Sequence, residues 1–224
     1  MTYIQAIPFS NPTNKNRFDG KIDYEGQQYE YTIFLTPLEK KTPDYDFVVK
    51  GISSRRQKGS KKTCLGLKAK IIKMHLDKKI TSAYGFVNPV GSKDCVSGSM
   101  QLYNWDNNST DYQVWINDIC RHTPRGTDKN VVSPLHVLFI LFEQMAAHLL
   151  GKTEVKLFVE RENENVLVPI YNKYGFIVDT DMQTSVPNVI VMRKTINPID
   201  AYHGIPFGAR KNKTRKNRPK LEVI

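Results

Sequence analysis

The apolar positions of this chain group into short runs whose spacing changes from element to element. Residues 21–37 (KIDYEGQQYEYTIFLTP) hold two β-prone runs around Glu25-Gly26, and the second, through Ile33, Phe34 and Leu35, stops at Thr36-Pro37. That order predicts a hairpin. Residues 47–49 form a short strand candidate. From Leu65 the spacing turns helical: Leu67, Ile71, Ile72, Met74 and Leu76 share a stripe, with Lys68, Lys70 and Lys73 on the wet side. Strand patterns return at 82–87, weakly, and at 99–105 (SMQLYNW). Residues 111–119 (DYQVWINDI) alternate well, with Val114 and Ile116 on one face and Trp115 on the other.

A long loop, CRHTPRGTDKNVV, then leads to Ser133-Pro134. Serine is a favoured N-cap and proline a favoured first helical residue. The helix they open runs to about residue 150 through Leu135, Leu138, Phe139, Leu141, Phe142, Met145, Ala146 and Leu149, and ends at Gly151. Apolar nearly throughout, it is expected to be the buried central helix. Val155, Leu157 and Val159 alternate with charge as a strand, and an asparagine-rich turn follows. Val166, Leu167 and Ile170 then fall at helical spacing before Tyr171-Asn172-Lys173-Tyr174-Gly175-Phe176. Gly175 sits where a helix must stop. Strands are expected at 176–179 and 188–192.

With 224 residues, 40% hydrophobic and 25% charged, the chain can bury one good-sized core. Its formal net charge of +11 favours polyanionic partners or phosphate groups on a ligand. Cys64, Cys95 and Cys120 are widely spaced. They are too few for a disulfide scaffold and wrongly spaced for zinc, so free buried thiols in the cytoplasm or another reducing compartment are expected. No metal site is expected. The start, MTYIQAIPFSNP, lacks the features of a signal peptide, and the longest apolar run, 137–142, is far short of a membrane span.

The order strand, loop, long helix, strand, helix, strand, strand over 111–192, closing on YNKYGF at 171–176, resembles the acyl-CoA half of the GNAT superfamily of N-acyltransferases. The resemblance implies an α/β fold: a mixed, mostly antiparallel twisted sheet flanked by helices, with two central parallel strands that splay apart. Residues 1–194 would form one such domain with an embellished N-terminal half. Residues 195–224 would form a basic, extended or partly disordered tail, docked in part through Tyr202, Ile205 and Phe207. The resemblance also implies acetyl-CoA as cofactor, wedged between the strands at 111–119 and 155–160. Its pyrophosphate would lie on the amino end of the long helix, where backbone donors are unpaired.

The stretch before that helix departs from the family pattern, which resembles Arg/Gln-x-x-Gly-x-Gly/Ala. Here it reads Arg125-Gly126-Thr127-Asp128-Lys129-Asn130-Val131-Val132-Ser133. The two valines are bulky and Asp128 would repel a pyrophosphate, while Arg121, Arg125 and Lys129 offset it by charge. The cofactor residues implied are Ile119, Arg125, Gly126, Lys129, Asn130, Val131, Val132 and Ser133, with Asn163 or Asn165 in the place of the family's turn asparagine. Tyr171 takes the place of the general acid, a phenol that protonates the leaving thiolate. Asp118 and Glu160, with Glu162 beside it, are positional candidates for the base. A strand amide near 117–119 would hold the oxyanion, if a bulge aims it inward. None of the five histidines pairs with a plausible nucleophile.

Two acid-free basic clusters remain. Arg55, Arg56, Lys58, Lys61 and Lys62 form one, and Arg210, Lys211, Lys213, Arg215, Lys216, Arg218 and Lys220 form the other. Such segments neutralise phosphates without reading bases. Two functions therefore stay open. One is an acetyl or acyl transfer to an amine of a protein, small molecule or nucleobase. The other is a catalytically degenerate GNAT-fold protein that binds nucleic acid, or a nucleoprotein complex, through its basic loop and tail. A residue usage rich in Asn, Lys, Ile and Tyr fits an AT-rich genome, and with it a viral or phage origin and virion or nucleoid association.

Overall fold

The computed structural model describes residues 16–53, 82–92, 95–104, 111–121, 134–182, 184 and 186–196. The expected helix at 65–76, the basic loop after Ser53, the loop at 122–133 and the tail from 197 lie outside the described residues.

Eight strands form one sheet in the order β1-β2-β3-β4-β5-β6-β8-β7. The predicted hairpin is β1 (Arg17–Tyr24) and β2 (Gln27–Leu35), and its first strand begins earlier than the sequence suggested. Glu25 and Gly26 turn the corner with φ of 49° and 78°, the left-handed pair that a two-residue hairpin needs. β3 (Ser82–Pro89) and β4 (Val96–Tyr103) continue the antiparallel meander to β5 (Gln113–Arg121). β4 starts three residues before the predicted 99–105 strand, because Val96 and Met100 point into the core on the same face.

Residues 47–49 are not a strand. They belong to helix α1 (Pro43–Ser53). Thr42 caps it, its Oγ1 accepting from the Tyr45 amide at 3.3 Å, with Pro43 in the first helical position and Asp44 and Asp46 in the first turn. Tyr45 and Val48 pack on Phe34, Tyr84 and Phe86. These three strand residues face away from Ile33, Ala83 and Val87, which belong to the other, larger core. α1 therefore covers one face of the sheet.

Helix α2 (Pro134–Leu150) covers the other face and is as buried as its sequence implies: Val137, Leu138, Phe139, Leu141, Phe142 and Ala146 are wholly enclosed. It ends at Gly151, whose φ is 62°. α2 links β5 to β6 (Glu154–Glu160), the parallel pair of the sheet. A 3-10 turn (Arg161–Asn163) and helix α3 (Glu164–Asn172) follow, then β7 (Ile177–Val178) and β8 (Val189–Thr195). The strand expected at 176–179 is only two residues long. Phe176 instead turns inward as a wholly buried core residue. Ile196 is buried too, its amide donating to the Thr153 carbonyl at 2.7 Å.

Candidate active site

The parallel ladder between β5 and β6 is short. Val114, Trp115 and Ile116 pair with Val155, Lys156 and Leu157, and there it stops. β5 runs on to Arg121 along β4, while β6 runs on to Glu160 along β8. From Asn117 and Phe158 onward the two parallel neighbours follow different partners, so a wedge opens toward their carboxyl ends. Backbone groups beyond the end of a ladder must find other partners, which makes such a wedge a place for an extended polar ligand.

A bulge lies on the β5 side of the wedge. Ser99 pairs with Asn117 and Ser97 with Cys120, so Asp118 and Ile119 together face Gly98. The extra residue turns a backbone group out of the ladder at the level where the strands part. The oxyanion expectation placed a strand amide in this same stretch, 117–119. Ile119 packs against the core from this position. Asp118 is at the bulge, and its side chain is outside the description.

α2 begins at Pro134, and its first turn carries no acidic side chain. A helix amino end carries a partial positive charge that suits an anion. The cradle residues Arg125, Gly126, Lys129, Asn130, Val131, Val132 and Ser133 lie outside the described residues, as do both basic clusters, 55–62 and 210–220.

Glu160 ends β6 exposed and accepts a hydrogen bond from Asn163 Nδ2 at 3.1 Å. Asn163 occupies the position before α3, but its side chain does not cap the helix. Asn165 is exposed on the first turn of α3, and Glu162 is exposed in the 3-10 turn. The structure therefore gathers Glu160 and Asn163 at the mouth of β6 and leaves Asn165 in solvent.

Tyr171 is placed by the way α3 ends. Gly175 adopts a φ of 86°, and the Phe176 amide reaches back to the Tyr171 carbonyl at 3.2 Å. This six-to-one closure needs a residue without Cβ at Gly175 and sends Phe176 back into the core. The Tyr171 ring packs edge-on against Phe139 at 5.9 Å and against Phe176 at 6.3 Å. Burial, helped by the neighbouring Tyr174, pushes its phenol above the ordinary tyrosine range. The group is a protonated phenol at any physiological pH, as a proton donor must be.

A pair that the sequence did not suggest lies nearby. The Tyr24 hydroxyl and His136 Nδ1 share a hydrogen bond of 2.8 Å across 112 residues of chain. Their rings meet edge to face at 5.1 Å, and the His136 ring touches Tyr174 at 5.0 Å. Neither residue stands out in the sequence, because only the curl of the sheet brings the first hairpin to the start of α2. Burial, then the charge of Lys194, holds the His136 pKa below the ordinary imidazole value, and Glu25 opposes them.

The remaining polar groups near β6 are structural. Lys156 bonds Asp179 at 2.8 Å and lies 3.4 Å from Glu154 on the face away from α2. Cys95 is half-buried, less enclosed than expected, with its thiol 3.8 Å from the Val96 carbonyl. Among the described residues no helix is long and apolar enough to cross a membrane.

No family model matches the sequence, and no curated protein matches it. Solved structures do. An uncharacterized protein from Bacillus halodurans (bh2621) superposes with a TM-score of 0.51 at 9% identity, covering 82% of this chain and 94% of that one. A spermidine N-acetyltransferase from Vibrio cholerae in complex with CoA and spermine reaches 0.44 at 13% identity, covering 73% and 95%. Apo FdhC, a nucleotide-linked sugar GNAT, reaches 0.42 at 12%, covering 76% and 89%. At such identities the likeness concerns the fold. The strand order, mostly antiparallel with one splayed parallel pair, is the GNAT-like sheet expected from the sequence.

Proposed function

We propose that this chain is an acyl-CoA-dependent N-acyltransferase that moves an acetyl or related acyl group to an amine. The observation that carries the reading is the parting of β5 and β6 after three paired residues each, with the Asp118–Ile119 bulge at the fork. A bound acyl-CoA would supply an activated thioester carbonyl. The described residues fit such a group: an open wedge for an extended arm, an acid-free first turn on α2 for phosphate, and a half-buried phenol on α3.

In this reading the first-turn amides of α2, with Lys129 and Arg125 from the segment before it, would hold the pyrophosphate. Ile119 and the bulge amide border the acyl carbonyl, where an N–H donor stabilises developing negative charge. The amine nitrogen forms its bond to the carbonyl carbon as the carbon–sulfur bond breaks. Tyr171 gives its proton to the departing sulfur, and Asp118 or Glu160 takes the proton that the amine sheds.

Calorimetry with acetyl-CoA tests the cofactor, and thiol release with a panel of amines (a polyamine, an amino sugar, a lysine peptide, an aminonucleoside) tests the transfer. Saturable heat and amine-dependent thiol release are expected. No heat at millimolar acetyl-CoA would overturn the reading in favour of a GNAT-fold binding protein that uses its basic segments on nucleic acid.

A further inference from the structure

We propose that His136, held by Tyr24, is a positioning residue for this transfer: it fixes Tyr174 and, with it, the turn of α3 that carries Tyr171. The inference rests on the N-acyltransferase reading above. Four contacts make the link continuous. Tyr24 reaches His136 Nδ1 at 2.8 Å, and the His136 ring meets Tyr174 at 5.0 Å. One turn further along α2, Phe139 meets both Tyr174 at 5.4 Å and Tyr171 at 5.9 Å. The ring of His136 thus lies between the first hairpin and the turn that ends α3, and Tyr171 of α3 packs on Phe139 of α2 beside it.

Polar contact matters here beyond packing. A hydrogen bond at Nδ1 holds the ring in one orientation, and its direction sets the tautomer: Nε2–H where Tyr24 donates, Nδ1–H where Tyr24 accepts. Tyr24 is a dependable partner because burial, reinforced by Glu25, pushes its phenol up to about 12, so it never ionises in the working range. The charged or titrating groups around the ring are Tyr24 and Glu25 from the hairpin, Tyr174 from the turn after α3 and Lys194 from β8. Lys194 is itself bonded to Glu143 of α2 at 2.7 Å. A second proton on His136 would set a positive charge near Lys194, opposed by Glu25, on the ring that holds Tyr174. Small displacements of a reacting group are expensive in rate, with about 1 Å enough for roughly a hundredfold.

Two variants and two readouts test the pair. Tyr24→Phe keeps the ring and removes the hydroxyl. His136→Asn places an amide at the Nδ1 position but cannot titrate. The ring 15N spectrum of wild type should show a single tautomer at His136, and Tyr24→Phe should show a mixture. With acetyl-CoA and a turned-over amine, Tyr24→Phe should lose roughly tenfold in kcat with little change in the cofactor KM. The acid limb of the wild-type pH profile, set below the ordinary imidazole value, should vanish in His136→Asn. Wild-type kcat and an unshifted pH profile in both variants would overturn the proposal, as would a mixed tautomer in the wild type. A wild type that binds no acyl-CoA and turns over no amine would sink the transferase reading and this role with it, while a single tautomer would still establish the lock itself.

Discussion

Lys194 Nζ lies 2.7 Å from Glu143 Oε1, tying β8 to the middle of α2 beneath the end of α3. The lysine stem passes Gly175, where an added Cβ would come within 3.3 Å of its Cε, and its ammonium stands 5.9 Å from the Phe176 ring. The Glu143 side chain is largely enclosed: burial raises its carboxyl pKa while Lys194 pulls the other way. Removing one member of such a pair leaves a buried charge uncompensated. Lys194→Met should therefore destabilise the fold by about 3 kcal/mol in urea titration, and adding Glu143→Leu should recover most of the loss. The Glu143 carboxyl left alone in Lys194→Met should titrate still higher. A raised carboxyl is most stabilising while protonated, so the single variant should weaken further as pH rises from 5 to 8. Equal stability of wild type and Lys194→Met at both pH values would refute this account.

Gly85 of β3 lies directly under α2. A Cβ there would sit 2.7 Å from Leu138 Cδ1 and 3.1 Å from the Phe142 ring, two side chains with no exposed surface. A close-packed core gives little room for either to move. Gly85→Ala should cost roughly 1–3 kcal/mol through overpacking, read as a fall in Tm. A gain in stability would mean that α2 can lift off β3 without loss.

Much of this architecture is written locally. Glu25-Gly26 between two β-prone runs and Ser133-Pro134 with Gly151 around an apolar stretch are complete start and stop signals, and the hairpin and α2 appear where they say. Gly175 and Phe176 likewise encode the end of α3 by backbone conformation alone. Thr42-Pro43-Asp44 was an equally local signal. Three apolar or aromatic residues downstream obscured it, and only the cap geometry shows α1 to be a helix. The site was less legible. The Asp118–Ile119 bulge depends on register with β4, and Tyr24 with His136 on contact across 112 residues; neither leaves a trace in spacing.

His136 also gives stability a pH dependence. Its folded pKa lies below the ordinary 6.5, through burial and then Lys194. Between those two values the unfolded chain binds more protons than the folded one, so stability rises with pH across that window. It is fully present above 6.5 and falls as the solution is acidified toward the folded pKa. His136→Asn removes the titrating group. The difference between wild type and variant, measured by denaturation at pH 7.5 and 5.5, should therefore shrink at the lower pH. A difference that stays constant would show that His136 titrates alike in both states.

Tyr171→Phe separates chemistry from packing. The phenyl ring keeps its contacts with Phe139 and Phe176, and the Phe176 amide still closes on the carbonyl of residue 171. Tm should therefore stay close to wild type. A missing proton donor lowers the rate of the step that needs it by roughly a hundredfold or more, so kcat should fall by about that factor while cofactor binding, measured by calorimetry, is retained. The pH profile supplies a second criterion. The acid works in its protonated form, and its pKa is raised above 10.0, so the wild-type rate should hold through pH 9 and fall only beyond 10. That basic limb should be absent from the residual activity of the variant. Wild-type kcat in Tyr171→Phe would remove the phenol from the mechanism and turn attention to a water at the Asp118–Ile119 bulge as the proton source.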